Sequence, residues 1–338
     1  MVDRGPKMRG AETRERWAES ITARARAYWT PQRRKGLLGG MRLLCPPWEA
    51  APLLRALRLL RGDASMAPDA VRKYMQVSHM AGLLEPALRG LAGRFSPLRV
   101  LDAGCGSSYL SLLLGWCARN RWERPVEILG VDRDPVVIRR CRRSASAAGL
   151  EDLVRFDVAE LGSLDVPEAW ARAFGRASGG RPLVHVLVAL HACDTASDDA
   201  LALGVSWGAE LIAAAPCCQA ELAREWGALS DAGARGPFAP VWRSGHLRRE
   251  AGATMTDALR TLLLRGCGYD VTAMEFVASG HTPKNTLLRA IRVGVPDPEA
   301  FGEYVALRDA LGGADIRLAG LLAGPASEST SDGWTKPR

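Results

Sequence analysis

The sequence predicts an α/β fold, a doubly wound domain of five parallel strands followed by an antiparallel hairpin and preceded by helices. Two observations carry this. From Val100 onward, short apolar stretches of strand length alternate with helix-length segments, which is the pattern of a parallel sheet joined by crossover helices. The strands fall at residues 99–102, 127–132, 153–157, 183–190 and 210–215. Two further strands, 270–277 and 286–293, are joined by residues 278–285 alone. That connection is too short for a parallel crossover, so these two pair as a hairpin.

Upstream lies a basic segment in which Arg14, Arg16, Arg24, Arg26, Arg33, Arg34 and Lys35 outnumber Glu12, Glu15 and Glu19. Trp17, Ile21 and Ala25 recur at the spacing of one helix face, and Leu53, Leu54, Leu57, Leu59 and Leu60 predict a short amphipathic helix after Pro46-Pro47. Two roles stay open for this segment: a helical cap on the core, or an arm that contacts RNA. A helix over 69–91 should end at Gly90 and Gly93, residues 232–245 read as a loop, and a helix follows over 254–264. The expected organisation is a basic helical extension over 1–68, the α/β domain over 69–296, a helical segment over 297–323 and a disordered tail over 324–338. There are no internal repeats.

In 338 residues with 47% hydrophobic content, the longest apolar runs are strand-sized and none approaches the roughly 20 residues that span a bilayer. The N-terminus is polar and basic without an apolar run behind it, so a cytoplasmic location is expected. Eight unevenly spaced cysteines, including the adjacent Cys217 and Cys218, do not form a secreted disulfide framework, and reduced thiols are expected. A formal net charge of +8 favours polyanionic partners, although an Arg-, Ala- and Gly-rich composition produces the same charge without one.

The chemistry begins at Val100-Leu101-Asp102-Ala103-Gly104-Cys105-Gly106, an acid and two glycines at the end of a buried strand. Glycine permits a tight turn there and lets a ligand approach the main chain. A dinucleotide loop would want a third glycine three residues after Gly106, where this sequence has Tyr109. Asp132 closes the second strand and Asp157 the third, so three successive strands end in an acid. Asp134 competes with Asp132, and Asp157 has an alternative as a simple helix N-cap.

This pattern resembles class I S-adenosylmethionine-dependent methyltransferases, whose motif I is the segment around Gly104. The resemblance implies a Rossmann-like sheet and S-adenosylmethionine as cofactor. It places Gly104, Cys105 and Gly106 under the amino-acid part of the cofactor, with Asp102 helping to hold it. It sets Asp132 on the ribose hydroxyls and Asp157 on the adenine amino group. The third glycine of the common loop falls at Ser108, which leaves the backbone course after Gly106 open.

Ligands of open α/β sheets bind beyond the carboxyl ends of the strands. There this sequence carries Leu190-His191-Ala192-Cys193-Asp194 after the fourth strand and Pro216-Cys217-Cys218-Gln219 after the fifth, with Gly280-His281-Thr282-Pro283-Lys284-Asn285 in the hairpin loop. The Leu-His-x-Cys and Pro-Cys-Cys segments resemble a branch of methyltransferase domains that includes the ribosomal RNA adenine dimethylase domain-containing and glutathione S-transferase C-terminal domain-containing proteins. Lys73-Tyr74-Met75-Gln76 is similar to that branch's lysine-bearing upstream helix. The likeness spans about residues 70–293 and implies RNA modification.

Amino-group methylation is disfavoured, because the proline-rich, aromatic segment it uses is replaced by His191-Ala192-Cys193-Asp194. Covalent attack on a pyrimidine by Cys217 or Cys218, with Cys193 as the second cysteine, stays open. So does proton removal by His191 or His281, and Lys284 could hold an acceptor phosphate. His191 is expected on both the cofactor and acceptor sides. The same histidines and cysteines could bind zinc, but adjacent cysteines seldom share an ion and no metal is expected; Cys217 and Cys218 could equally be packing residues. The expected function is methyl transfer to ribosomal or transfer RNA, with no membrane and no obligate protein partner. The alternatives are a non-catalytic cofactor-binding RNA or ribosome-assembly factor, and a small-molecule or protein methyltransferase.

Overall fold

The computed structural model describes residues 11–38, 43–175, 183–190, 192, 194–216, 219–276 and 286–323. In chain order the elements are α1 (Ala11–Tyr28), α2 (Pro31–Leu38), α3 (Ala51–Ala56), α4 (Pro68–Arg94), β1 (Leu98–Ala103), α5 (Tyr109–Cys117), β2 (Val126–Asp132), α6 (Pro135–Ala148) and β3 (Val154–Val158). They continue with α7 (Val166–Phe174), β4 (Val186–Ala189), α8 (Thr195–Ser206), β5 (Leu211–Ala214), α9 (Glu221–Asp231), α10 (Ala239–Trp242) and α11 (Gly245–Gly266). The last are β6 (Tyr269–Glu275), β7 (Thr286–Arg292), α12 (Pro298–Ala310) and α13 (Arg317–Ala323).

The seven strands form one sheet in the order β3-β2-β1-β4-β5-β7-β6. β1 pairs with β4 and β4 with β5 in parallel, whereas β7 runs antiparallel to both β5 and β6. The predicted hairpin is therefore present, with its second strand inserted beside β5. The tail over 324–338 lies outside the described residues.

β4 begins at Val186 and not at 183, and three helical boundaries also differ from expectation. α4 runs through Gly90 and Gly93 to Arg94, because its apolar stripe of Tyr74, Val77, Ala81, Leu84, Leu88 and Leu91 stays buried across them. Packing outweighs the roughly 1 kcal/mol helix penalty of each glycine. The expected loop over 232–245 contains α10, since Trp242 is buried and its ring lies 6.4 Å from that of Trp226. α11 starts nine residues before the predicted 254, where the Ser244 hydroxyl accepts the Leu247 N–H.

The chain packs as two compact units. The first comprises Met1–Leu98, Gly106–Gly130 and Asp134–Val158. Within it α1 packs on α3, burying Ile21 and Ala25, and Trp29 just beyond α1 is buried as well. The predicted leucines 53, 54, 57, 59 and 60 are all buried. Arg14 pairs with Glu151 at 2.7 Å, Arg24 donates to the Gly62 carbonyl, and Arg34 donates to the Trp29 carbonyl and lies over the Trp48 ring. These contacts support the cap reading of the segment. Cys45 and Cys117 face each other as buried free thiols, sulfurs 3.4 Å apart.

The second unit comprises Arg99–Cys105, Val131–Arg133 and Ala159–Arg338. Every residue of β4 and β5 is buried, as a strand covered on both faces requires. α11 packs against α9, α12 and β6. The expected helical segment over 297–323 is two helices, α12 and α13, separated by Gly312 and Gly313, both with positive φ.

Candidate functional site

β1 ends at Ala103, and the chain then turns through three left-handed residues: Gly104 (φ +70°), Gly106 (φ +52°) and Ser108 (φ +54°). At Gly104 the demand is also spatial, since a Cβ there would stand 3.3 Å from the backbone nitrogen of Ala192. The Cys105 N–H donates to the Val131 carbonyl at 2.8 Å and its thiol is buried, so Cys105 clamps the end of β1 to that of β2. Asp102, one residue before Ala103, is 3% exposed and opposite Val188 of β4. Ser108 keeps the left-handed backbone of the missing third glycine with a side chain in place, a conformation that costs about 1 kcal/mol. Its buried hydroxyl has no hydrogen-bond partner among the described residues.

At the end of β2 the two competing acids separate. Asp134 caps α6, its carboxylate accepting the Val136 N–H at 2.7 Å. Asp132 is the terminal residue of β2, half-buried, and its carbonyl accepts the Ala159 N–H. Asp157 lies within β3 and accepts the N–H of Val158 at 3.0 Å. It caps no helix, for α7 begins at Val166 under the cap of Asp165.

In the second unit, register levels the ends of the central strands. Asp102 is opposite Val188, Val188 opposite Ala213, and Ala214 opposite Leu288. Glu275 and Thr286, the residues flanking the hairpin connection, pair with each other near that same edge. His191, Cys193, Cys217, Cys218, His281 and Lys284 lie outside the described residues, and so does the zinc set they compose. Among the described residues there is no cluster of three or more metal-ligating side chains.

What the described residues show at this edge is a buried ionic network. Asp194, which directly follows Cys193, accepts the Ala220 N–H at 3.0 Å and the Arg224 guanidinium at 3.0 Å. Arg260 of α11, 1% exposed, donates to Asp198 at 2.8 Å, to Asp257 at 3.2 Å and to the Asp194 carbonyl at 3.3 Å. Gln219 donates to the second oxygen of Asp257 at 2.8 Å. Burial raises the pKa values of Asp198 and Asp257 despite the adjacent guanidinium. Burial opposes the charge of Arg260 too, but bonding to Asp198 and Asp257 leaves its pKa raised.

This network escaped the sequence reading. Its signal was an Asp257-x-x-Arg260 pair on a helix face that continues through Leu263 and Leu264, all of them buried. Charged residues at core positions of a helix are rarely accidental, because desolvating them is costly unless they are paired.

Residues 72–225, just under half of the chain, match the family model described as a methyltransferase domain. This stretch runs from α4 into α9. No curated protein matches in sequence. Among solved structures, the S-adenosylhomocysteine-bound methyltransferase PaMTH1 of Podospora anserina is 17% identical, with 72% of this chain and 88% of that one covered and a TM-score of 0.39. Magnesium protoporphyrin IX methyltransferase from Synechocystis, with S-adenosylhomocysteine bound, is 14% identical over 72% of this chain and 95% of that one, TM-score 0.38. A methyltransferase from Geobacter sulfurreducens is 17% identical over 78% and 98%, TM-score 0.36.

Among the described residues no helix is long and apolar enough to cross a membrane.

Proposed function

We propose that this chain is a class I S-adenosylmethionine-dependent methyltransferase whose acceptor is RNA, ribosomal or transfer. The observation that carries the cofactor half is the turn after β1, where Gly104 and Gly106 both have left-handed backbones and a Cβ at Gly104 would crowd the Ala192 backbone. A glycine turn at a strand's carboxyl end leaves main-chain groups with no side chain over them, which suits the close approach of a ligand. The separation of Asp132 from the helix-capping Asp134 adds to it, since a strand-terminal carboxylate can accept two ribose hydroxyls at once.

When bound, the cofactor supplies an electrophilic methyl group on its sulfonium. Asp132 would hold the ribose, Asp157 the adenine amino group, and Asp102 with the backbone of Gly104, Cys105 and Gly106 the amino-acid part. What Cys105 offers from its backbone is the carbonyl, its N–H being taken by Val131. On the acceptor side His191 would take up a proton and Lys284 would meet a phosphate, with Cys217 and Cys218 as the thiols to test for covalent attack. The Asp194–Arg260 network would brace the two segments that carry these residues. RNA is supported by the net charge of +8.

The test is incubation of the purified protein with methyl-labelled cofactor and separate total RNA, protein and small-molecule fractions. Label is expected in RNA. Label in another fraction would overturn the acceptor, and failure to bind S-adenosylhomocysteine would overturn the cofactor.

A further inference from the structure

The first unit holds positive charge that the cofactor reading leaves unused. Lys73 of α4 places its Nζ over the ring of Tyr109, 5.3 Å from the centroid. Tyr109 is the first residue of α5, directly after the left-handed Ser108. Burial lowers the pKa of Lys73, because a half-desolvated ammonium disfavours its own charge. Among the described residues no carboxylate pairs with it.

Two more cations come from chain held beside the same tyrosine: the thiol of Cys141, next to Arg140, donates to the Gly106 carbonyl at 3.0 Å, and the Ser144 hydroxyl of α6 donates to the Ala56 carbonyl, two residues before Arg58, at 3.4 Å. Burial raises the pKa of the Tyr109 hydroxyl, and the charges of Arg140 and Arg58 pull it back. Both arginines are exposed, and neither guanidinium has an ion pair or hydrogen bond among the described residues. Three elements deliver these cations: α4 carries Lys73, α6 carries Arg140, and the turn after α3 carries Arg58. α3 packs on both α5 and α6, and α4 packs on α5. The turn at Arg58 is held by the N–H groups of Leu59 and Leu60 on the Leu54 carbonyl, which fixes Arg58 at φ +59°. Beside Tyr109, the N-terminus of the nine-residue α5 has no side-chain cap, and the Ser108 hydroxyl there is 1% exposed and unpartnered among the described residues. Uncapped helix amides favour an anion.

We propose that Lys73, Arg58 and Arg140 around Tyr109 form a phosphate-binding site for the backbone of the acceptor RNA, an inference that rests on the reading of RNA as acceptor. Phosphate suits the site better than a lone carboxylate. Three cations exceed what one monoanion requires, and two of them are solvent-facing guanidinium groups that fork onto phosphate oxygens. Of the arginines of α1 and α2, Arg14, Arg24, Arg33 and Arg34 are engaged within the unit, which favours this cluster as the place for a polyanion.

The test is binding of the full chain to a fluorescein-labelled oligouridine of about twenty nucleotides, with calorimetry of S-adenosylhomocysteine and methylthioadenosine in parallel. Arg58→Gln/Arg140→Gln should weaken RNA binding about tenfold near physiological salt, and flatten the slope of log affinity against log salt by about 1.4, two phosphates at about 0.7 each. Lys73→Gln should weaken RNA binding too. Arg139→Gln/Arg143→Gln removes equal charge from α6 and should cost about threefold or less. Wild-type RNA affinity in the Arg58, Arg140 and Lys73 variants would overturn the site. So would an equal loss in the Arg139/Arg143 variant, which would mark diffuse attraction. A loss of S-adenosylhomocysteine affinity with methylthioadenosine and RNA affinity unchanged would assign the cluster to the cofactor carboxylate and likewise overturn the proposal. If wild-type protein binds RNA through the cluster but binds no S-adenosylhomocysteine, the phosphate site stands and the cofactor reading falls.

Discussion

The Asp194 carboxylate accepts the backbone N–H of Ala220 at 3.0 Å, tying the chain that leaves β4 to the chain that leaves β5. Asp194 does this from a strained backbone, φ +53° and ψ −124°. Asp194→Ala should therefore cost about 1 to 1.5 kcal/mol, at or just below the lower end of the range for a charged acceptor because the group is partly exposed. Asp194→Gly loses the same bonds but relieves the strain, and should be more stable than the alanine variant by about 1 kcal/mol. Urea unfolding of the pair checks the order.

The same residue predicts a pH dependence. Burial would raise the Asp194 pKa, but the Ala220 N–H and Arg224 outweigh it and hold the carboxyl below its ordinary 3.8. A lowered folded-state pKa contributes stability above the unfolded value and loses it as pH falls through the folded value. The stability difference between wild type and Asp194→Asn should stay constant from about pH 7 to about pH 5 and shrink below about 3.8. A difference that grows on acidification would contradict the assignment.

Arg260 is the partner shared by Asp198 and Asp257. Arg260→Met strands two buried carboxylates and should destabilise by about 3 to 5 kcal/mol. Asp198→Asn in that background should recover part of the loss, because it removes one of the stranded charges. A double-mutant cycle measures the coupling, and simple additivity would show that the two groups do not act as a pair.

Residues 11–38 should behave as a cap. Trp29 is 6% exposed, with Ile21 and Ala25 also buried. Trp29→Ala should cost about 3 kcal/mol. Deleting the segment should lower thermal stability while leaving the salt slope of RNA binding unchanged. A shallower slope at unchanged stability would make it an RNA arm instead.

The alternation of strands and helices, the hairpin and the glycine turn were legible because each has a local cause: apolar runs of strand length, a connection too short to cross over, and glycines where φ is positive. Other features were not. The passage of α4 through Gly90 and Gly93 depends on a buried stripe that propensity does not register. Ser108 holds a left-handed backbone that serine does not announce. The Asp194–Arg260 network joins residues 66 positions apart, a proximity that only the folded chain reveals. Asp132 and Asp134 were separable in sequence by strand position, and the cap on α6 gives the physical reason.

The central claim is that the turn after β1 and the acid ending β2 hold S-adenosylmethionine, and calorimetric titration with S-adenosylhomocysteine tests it most directly. Wild-type protein should bind, and Asp132→Ala should lose about 1.5 to 3 kcal/mol of affinity with its fold intact. Asp134→Ala, which removes only the α6 cap, should lose about 1 kcal/mol of stability and retain wild-type affinity. Absence of binding to the wild type, or equal affinity in Asp132→Ala, would contradict the account.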